Sequence, residues 1–113
     1  MKRYVLRVAA RDKNVFEAIG SGKKKIETRA GSVKYQNIKA GDTLVFSCAG
    51  KKFEKKIKEV RHFKSIADIL KVYKPSQINP SISTKEEMIK MWHSFPNYKE
   101  KIVKFGILAF ELK

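Results

Sequence analysis

Between Phe16 and Arg29 the chain changes character twice within a few residues. Val15, Phe16 and Ile19 fall at helical spacing, so the segment opens as a short helix with one apolar face. Gly20, Ser21 and Gly22 stop it, because glycine accepts the left-handed backbone that a helix exit often requires. A run of charge follows, Lys23-Lys24-Lys25-Ile26-Glu27-Thr28-Arg29, with one apolar residue in it. Read as a strand, the run alternates between faces: Lys24, Ile26 and Thr28 on one, Lys23, Lys25, Glu27 and Arg29 on the other. An acid held between bases directly after a glycine turn predicts a polar pocket. The competing reading is a solvated charged strand.

The rest of the chain supplies strands and short helices around this stretch. Tyr4 to Ala10 is β-rich and reads as a first strand. Residues 11–14 turn, with Asp12 or Asn14 available to cap the helix. Val33 to Ile38 is an irregular or single-turn segment carrying Lys34 and Tyr35. Ala40-Gly41-Asp42 turns into a strand at Thr43 to Cys48, and Ala49 to Lys52 reads as a hairpin turn. Over 51–63, Phe53, Ile57 and Val60 fit helical spacing slightly better than alternation, but the hairpin approach favours a strand. Ser65 can cap a helix from Ile66 to Tyr73 that Pro75 ends, and Ser76 to Ser83 reads as a polar loop. Thr84-Lys85-Glu86-Glu87 fits a capping box that opens a helix faced by Met88, Ile89, Met91 and Trp92. Ile102 to Leu112 is expected as a closing strand, with Gly106 marking a bulge or close approach. Five or six strands with three interspersed helices predict one small α+β barrel covering residues 1–113.

Charge narrows the classes of partner. Twenty-six Lys and Arg face eleven Asp and Glu, a formal charge of +15 on 113 residues. Such an excess commonly marks a polyanion partner, nucleic acid first and an anionic membrane surface second. The bland alternative is a lysine-coated surface that binds anions without selectivity. Most of the excess is Lys, which suits long-range phosphate attraction better than bidentate reading of bases. One cysteine, Cys48, excludes an internal disulfide framework. No signal-like or membrane-spanning stretch stands out, so a soluble, cytoplasmic protein with no membrane partner is expected.

The spacing Gly22-x-Lys24-x-x-Glu27-x-Arg29, preceded by Phe16-Glu17-Ala18-Ile19 and followed by Ile38-Lys39-Ala40-Gly41-Asp42, resembles the signature of the ASCH domain family. That family belongs to the PUA-like superfamily of small β-barrels. The resemblance continues through Lys56 to Arg61 and Phe63 to Tyr73, and ends at Lys104 to Phe110, so it covers nearly the whole chain. It implies a cleft between the first helix, the charged strand and neighbouring loops that binds RNA or a nucleotide.

No metal site or cofactor is expected. His62 and His93 lack partners at ligand spacing, and Gly20-x-Gly22 lacks the spacing and terminal Ser or Thr of a phosphate loop. Cys48, Trp92 and Phe95 read as structural. The candidate RNA- or nucleotide-binding residues are Lys23, Lys24, Glu27, Arg29, Lys34, Tyr35, Lys55 and Arg61, the last two within a basic band from Lys51 to Lys64. A carboxylate can accept from a base's exocyclic amine, while Lys and Arg hold phosphate or a carbonyl. The resemblance also implies a second possibility, a small hydrolase acting on a modified nucleoside such as acetylcytidine, or a ribonuclease. Lys24 is then the best catalytic candidate. The hydrolases' catalytic threonine falls where this chain has Glu27, and Thr28 follows one residue later, on the expected opposite face.

Overall fold

The computed structural model describes all 113 residues, Met1–Lys113. Its strands are β1 (Arg3–Arg7), β2 (Ile26–Ala30), β3 (Thr43–Cys48), β4 (Lys51–Phe63) and β5 (Ile107–Leu112). Its helices are α1 (Lys13–Gly20), α2 (Ile66–Val72), α3 (Pro75–Ile78), α4 (Lys85–Ser94) and α5 (Tyr98–Phe105), with 3-10 turns at Ala10–Asp12 and Val33–Tyr35. The strands form one sheet in the order β1-β3-β4-β5-β2. β1 runs parallel to β3, and every other neighbouring pair is antiparallel. The long strand β4 gives its first half to β3 and its second half to β5, with a bulge between Ile57 and Glu59. A bulge bends a strand and raises its twist, so the sheet curls into an α+β half-barrel. It does not close: β1 and β2 remain its two edges.

Two apolar clusters hold this shape. Leu6, Leu44, Phe46, Ile57, Leu108 and Phe110 point into the curl and pack against Phe16 and Ile19 of α1. On the outer side, Ile26, Ala30, Ile107 and Ala109 are covered by Ile69, Met88, Trp92 and Ile102 of α2, α4 and α5. Residues of β5 alternate between the two clusters, as the two-residue period of a strand requires. The outer face of β1, β3 and the first half of β4 has no such cover.

Local signals explain most boundaries. The Ser65 hydroxyl accepts from Asp68 N–H at 3.2 Å and opens α2. Thr84 Oγ1 accepts from Glu87 N–H at 3.1 Å and donates to Glu87 Oε1 at 3.0 Å, opening α4 as expected. Ala49 and Gly50, with φ of 48° and 83°, form the two-residue hairpin turn into β4. The strand reading of 51–63 is correct.

Several expectations need correction. β1 stops at Arg7, and Ala10 lies in the 3-10 turn. Asp12 stands at the N-cap of α1 without a side-chain hydrogen bond. Residues 23–25 are not strand. Pro75 begins α3 as well as following α2, because a first-turn residue needs no backbone N–H. Residues 102–105 are helix, so five helices replace the expected three. Tyr98, Ile102 and Phe105 continue a helical face until Gly106, whose φ of 78° ends it. Gly106 is a close approach: a Cβ there would collide with Phe63 O and the His62 ring.

Candidate functional site: a cavity at the open seam of the half-barrel

The unpaired edges of β1 and β2 face a cavity of about 620 Å³. Arg7, Val8 and Ala9 line it from the end of β1, and Lys24, Glu27, Thr28 and Arg29 line it from β2 and the turn before it. Trp92, Phe95 and Tyr98 contribute from α4, α5 and their linker, and Ile78 and Asn79 from the end of α3. A smaller recess of about 290 Å³ adjoins it, with Val15 and Asn79 lining both.

Position on a free edge explains why neighbouring residues of β2 share one cavity. Leu112 N–H donates to Lys25 O at 2.8 Å, which directs the backbone groups of Lys25, Glu27 and Arg29 towards β5. Those of Ile26, Thr28 and Ala30 therefore point to the seam, where buried groups need other partners. Lys24 Nζ donates to Ile26 O. Thr28 N–H donates to Glu27 Oε1 at 3.0 Å, and Ala30 N–H donates to the Tyr98 hydroxyl at 3.5 Å. The side chains of the charged run thus stand in for a missing neighbouring strand.

The result is a buried cation–anion–cation row. Lys24 and Glu27 are only 4% and 7% exposed. Glu27 Oε1 accepts from Lys24 Nζ at 3.3 Å and Oε2 from Arg29 Nη2 at 3.2 Å. Burial works against the Glu27 charge, but Lys24 and Arg29 together outweigh it and hold the carboxyl below its ordinary value. Burial dominates at Lys24, lowering its amine despite the attraction of Glu27. Burial also opposes the charge of Arg29, which Glu27 more than restores. Beneath the row, Trp92 Nε1 donates to Thr28 Oγ1 at 3.3 Å, both side chains buried.

Of the residues singled out from sequence, Lys24, Glu27 and Arg29 converge in the cavity. Lys24 does so against simple alternation: because residues 23–25 lie outside the strand, its side chain turns back to Glu27. Thr28, assigned to the opposite face, lines the same cavity because the edge is open on both sides. Tyr35 lies behind the row, its ring 6.0 Å from the Arg29 guanidinium carbon and 5.5 Å from Lys34 Nζ. Lys23, Lys34, Tyr35, Lys55 and Arg61 do not line the cavity. Lys55 pairs with Leu44 on the inner side of β4, whereas Lys52 and Lys56 point outward, so the basic band is split between two faces. Arg61 is held by Glu59 and Glu111, each at 3.3 Å.

Sequence reasoning missed Arg7, Arg11 and Asp12 at the rim and Asn79 in the wall. Isolated polar residues in turns carry no periodic signal, and only the fold brings them to the seam. Asn79 Oδ1 accepts from Ser81 N–H at 3.0 Å and Ser81 Oγ at 2.7 Å, fixing the turn after α3.

An α+β half-barrel with a charged cavity at its open seam is the class of protein that fold and site define. The structure described as the crystal structure of hypothetical protein PH0355 is similar over 100% of this chain and 98% of that one, at 30% identity and a TM-score of 0.85. The solution structure of protein PF0455 from Pyrococcus furiosus is similar over 100% of this chain and 96% of that one, at 30% identity and a TM-score of 0.73. The chain belongs to the family of these proteins. No family model and no curated protein matches it. No helix is long and apolar enough to cross a membrane.

Proposed function

We propose that the protein is an RNA-binding module of the ASCH type that takes an unstacked nucleotide into the seam cavity. The observation that carries this reading is the free bonding capacity of the Glu27–Arg29 pair. Glu27 Oε1 has two donors, but Oε2 has only Arg29 Nη2, and that guanidinium uses one of its five N–H groups there. An open acceptor beside open donors complements the edge of a nucleobase that pairs an exocyclic amine with a ring nitrogen or carbonyl, as cytosine does. The cavity volume lies in the range of small-molecule sites. Arg7 at the rim makes no ion pair and is available to phosphate, Arg11 beside it faces Asp12 at 3.9 Å, and the +15 charge supplies long-range attraction.

The test is binding of cytidine monophosphate and of short single-stranded RNA as a function of salt, comparing the native chain with Glu27→Gln and Ala9→Trp. Ala9 is exposed at the cavity wall, so tryptophan there obstructs the cavity without touching the charged row. Loss of mononucleotide binding in both variants, each still folded by circular dichroism, supports the reading. Unchanged binding in Ala9→Trp removes it.

A second reading is a hydrolase acting on a modified nucleoside or on RNA. It is favoured by Lys24, whose amine burial lowers, and by the Thr28 hydroxyl, which lines the same cavity and uses its oxygen to accept from Trp92. Turnover of acetylcytidine that vanishes in Lys24→Met reverses the ranking.

A further inference from the structure

The outer face of β1, β3 and the first half of β4 is the one large sheet surface that no helix covers. Its residues follow from the register. Arg3, Thr43 and Lys56 form one row across the three strands, Val5, Val45 and Glu54 the next, and Arg7, Ser47 and Lys52 the third. Four cations therefore surround a single anion. Arg3 and Glu54 neutralise each other through a bidentate pair, with Nη1–Oε1 at 3.1 Å and Nη2–Oε2 at 2.6 Å. Arg7, Lys52 and Lys56 are exposed and make no ion pair. Strand geometry separates the first and third rows by about 13 Å, so the cations stand along a track instead of in one cluster.

Arg7 joins this face to the cavity, because it ends β1 and also lines the seam. We infer that the uncovered β1-β3-β4 face is a second binding surface, carrying the phosphodiester backbone of the single-stranded RNA whose base occupies the cavity. The inference rests on the cavity reading and extends it: the ligand is an oligonucleotide, and the strand leaving the cavity runs past Arg7 towards Lys52 and Lys56. Glu54 limits the affinity by occupying Arg3. An anionic membrane is the competing partner for a flat basic face. The continuity with a nucleotide-sized cavity favours RNA.

Three variants keep this testable, since all the positions are exposed and outside the cores. Lys52→Gln with Lys56→Gln removes two phosphate contacts. It is expected to flatten the dependence of log affinity on log salt by about 1.4 for a short single-stranded ribo-oligonucleotide. Glu54→Gln frees Arg3 and is expected to steepen that slope by about 0.7 and strengthen binding. Neither changes the affinity for cytidine monophosphate. Oligonucleotide binding unchanged in both variants overturns the inference. So does a pattern in which they alter only sedimentation with phosphatidylserine-containing vesicles. If Ala9→Trp leaves mononucleotide binding intact while the lysine variant still flattens the oligonucleotide slope, the cavity reading fails and the face stands as a polyanion surface.

Discussion

Lys24 Nζ and Glu27 Oε1 meet at 3.3 Å on the free edge of the sheet, and each also satisfies a backbone group that a neighbouring strand would otherwise take. Lys24 serves the Ile26 carbonyl and Glu27 the Thr28 N–H. The ion pair is therefore part of how the half-barrel ends, and it also forms the wall of its cavity. Structure and proposed recognition share the Glu27 carboxylate, Oε1 serving the one and Oε2 the other, so a single substitution there must be judged on both.

Glu27→Gln is expected to destabilise the fold by about 3 kcal/mol, the lower end of what breaking a buried ion pair costs, because Arg29 retains some exposure. Urea unfolding at neutral pH measures it. The pH dependence has a definite sign. The folded Glu27 carboxyl lies below its unfolded value of about 4.3. Its stabilisation is thus complete above that pH and is lost as pH falls through the folded value. The native chain should lose stability more steeply than Glu27→Gln below about pH 4.3, and parallel acid limbs would refute this assignment.

The elements that could be read in advance are those whose signals are local. The glycine exit after Ile19, the Ala49-Gly50 turn and the caps at Ser65 and Thr84 each involve residues within a few positions of one another. The strand at Thr43–Cys48 carries its own β-branched and apolar pattern, and the limits of that pattern are those of the strand. The failures are of a different kind. Helix α5 was hidden because Gly106 follows it so closely that the apolar residues of Ile102 to Leu112 merge into one run. Alternation puts Lys24 on the wrong face because it holds only inside a strand, and β2 begins at Ile26. The cavity combines a β1 terminus, an edge strand and two helices far apart in sequence. Lys24, Glu27 and Arg29 could be found because they are close in the chain, whereas Arg7 and Asn79 could not.

Trp92 is the only tryptophan, is 1% exposed and forms part of the cavity wall, so its fluorescence reports directly on the site. Cytidine monophosphate is expected to quench it saturably in the native chain, and the absence of saturable quenching would remove the cavity reading. Trp92→Phe leaves the buried Thr28 hydroxyl without its donor and opens a void. A loss of about 2–4 kcal/mol in chemical denaturation is expected from these two effects. A loss below about 1 kcal/mol would show that the Thr28 contact contributes nothing and that the site relaxes around the smaller ring.

Gly106 joins α5 to β5 with φ at 78°, and His62 Nε2 bonds the preceding Phe105 carbonyl at 2.8 Å. A side chain at position 106 meets both an unfavourable backbone conformation and the Phe63 carbonyl. Gly106→Ala is expected to cost about 2–3 kcal/mol, seen as a lowered urea midpoint. Gly50→Ala, also at positive φ but with open space around it, should cost less because it carries the conformational penalty alone. Equal losses would mean that the close approach at Gly106 is relieved by a shift of β4.

The charged row itself can be separated from the fold it supports. Replacing Glu27 alone by Leu leaves Lys24 and Arg29 without their anion and is expected to cost about 3–5 kcal/mol. Replacing all three, as Lys24→Met, Glu27→Leu and Arg29→Met, removes the unpaired charges along with the attraction. Buried ionic groups exchanged for apolar ones of similar size are often tolerated, so the triple variant should recover most of the loss. Water entering the open cavity can serve Ile26 O and Thr28 N–H in place of the lost side chains. The triple variant should nevertheless lose mononucleotide binding entirely, because no donor or acceptor of the row remains. Urea unfolding and fluorescence titration on the same samples measure the two effects. Retained stability with lost binding identifies the row as a recognition device, whereas a triple variant less stable than Glu27→Leu would make it primarily the clasp that ends the sheet.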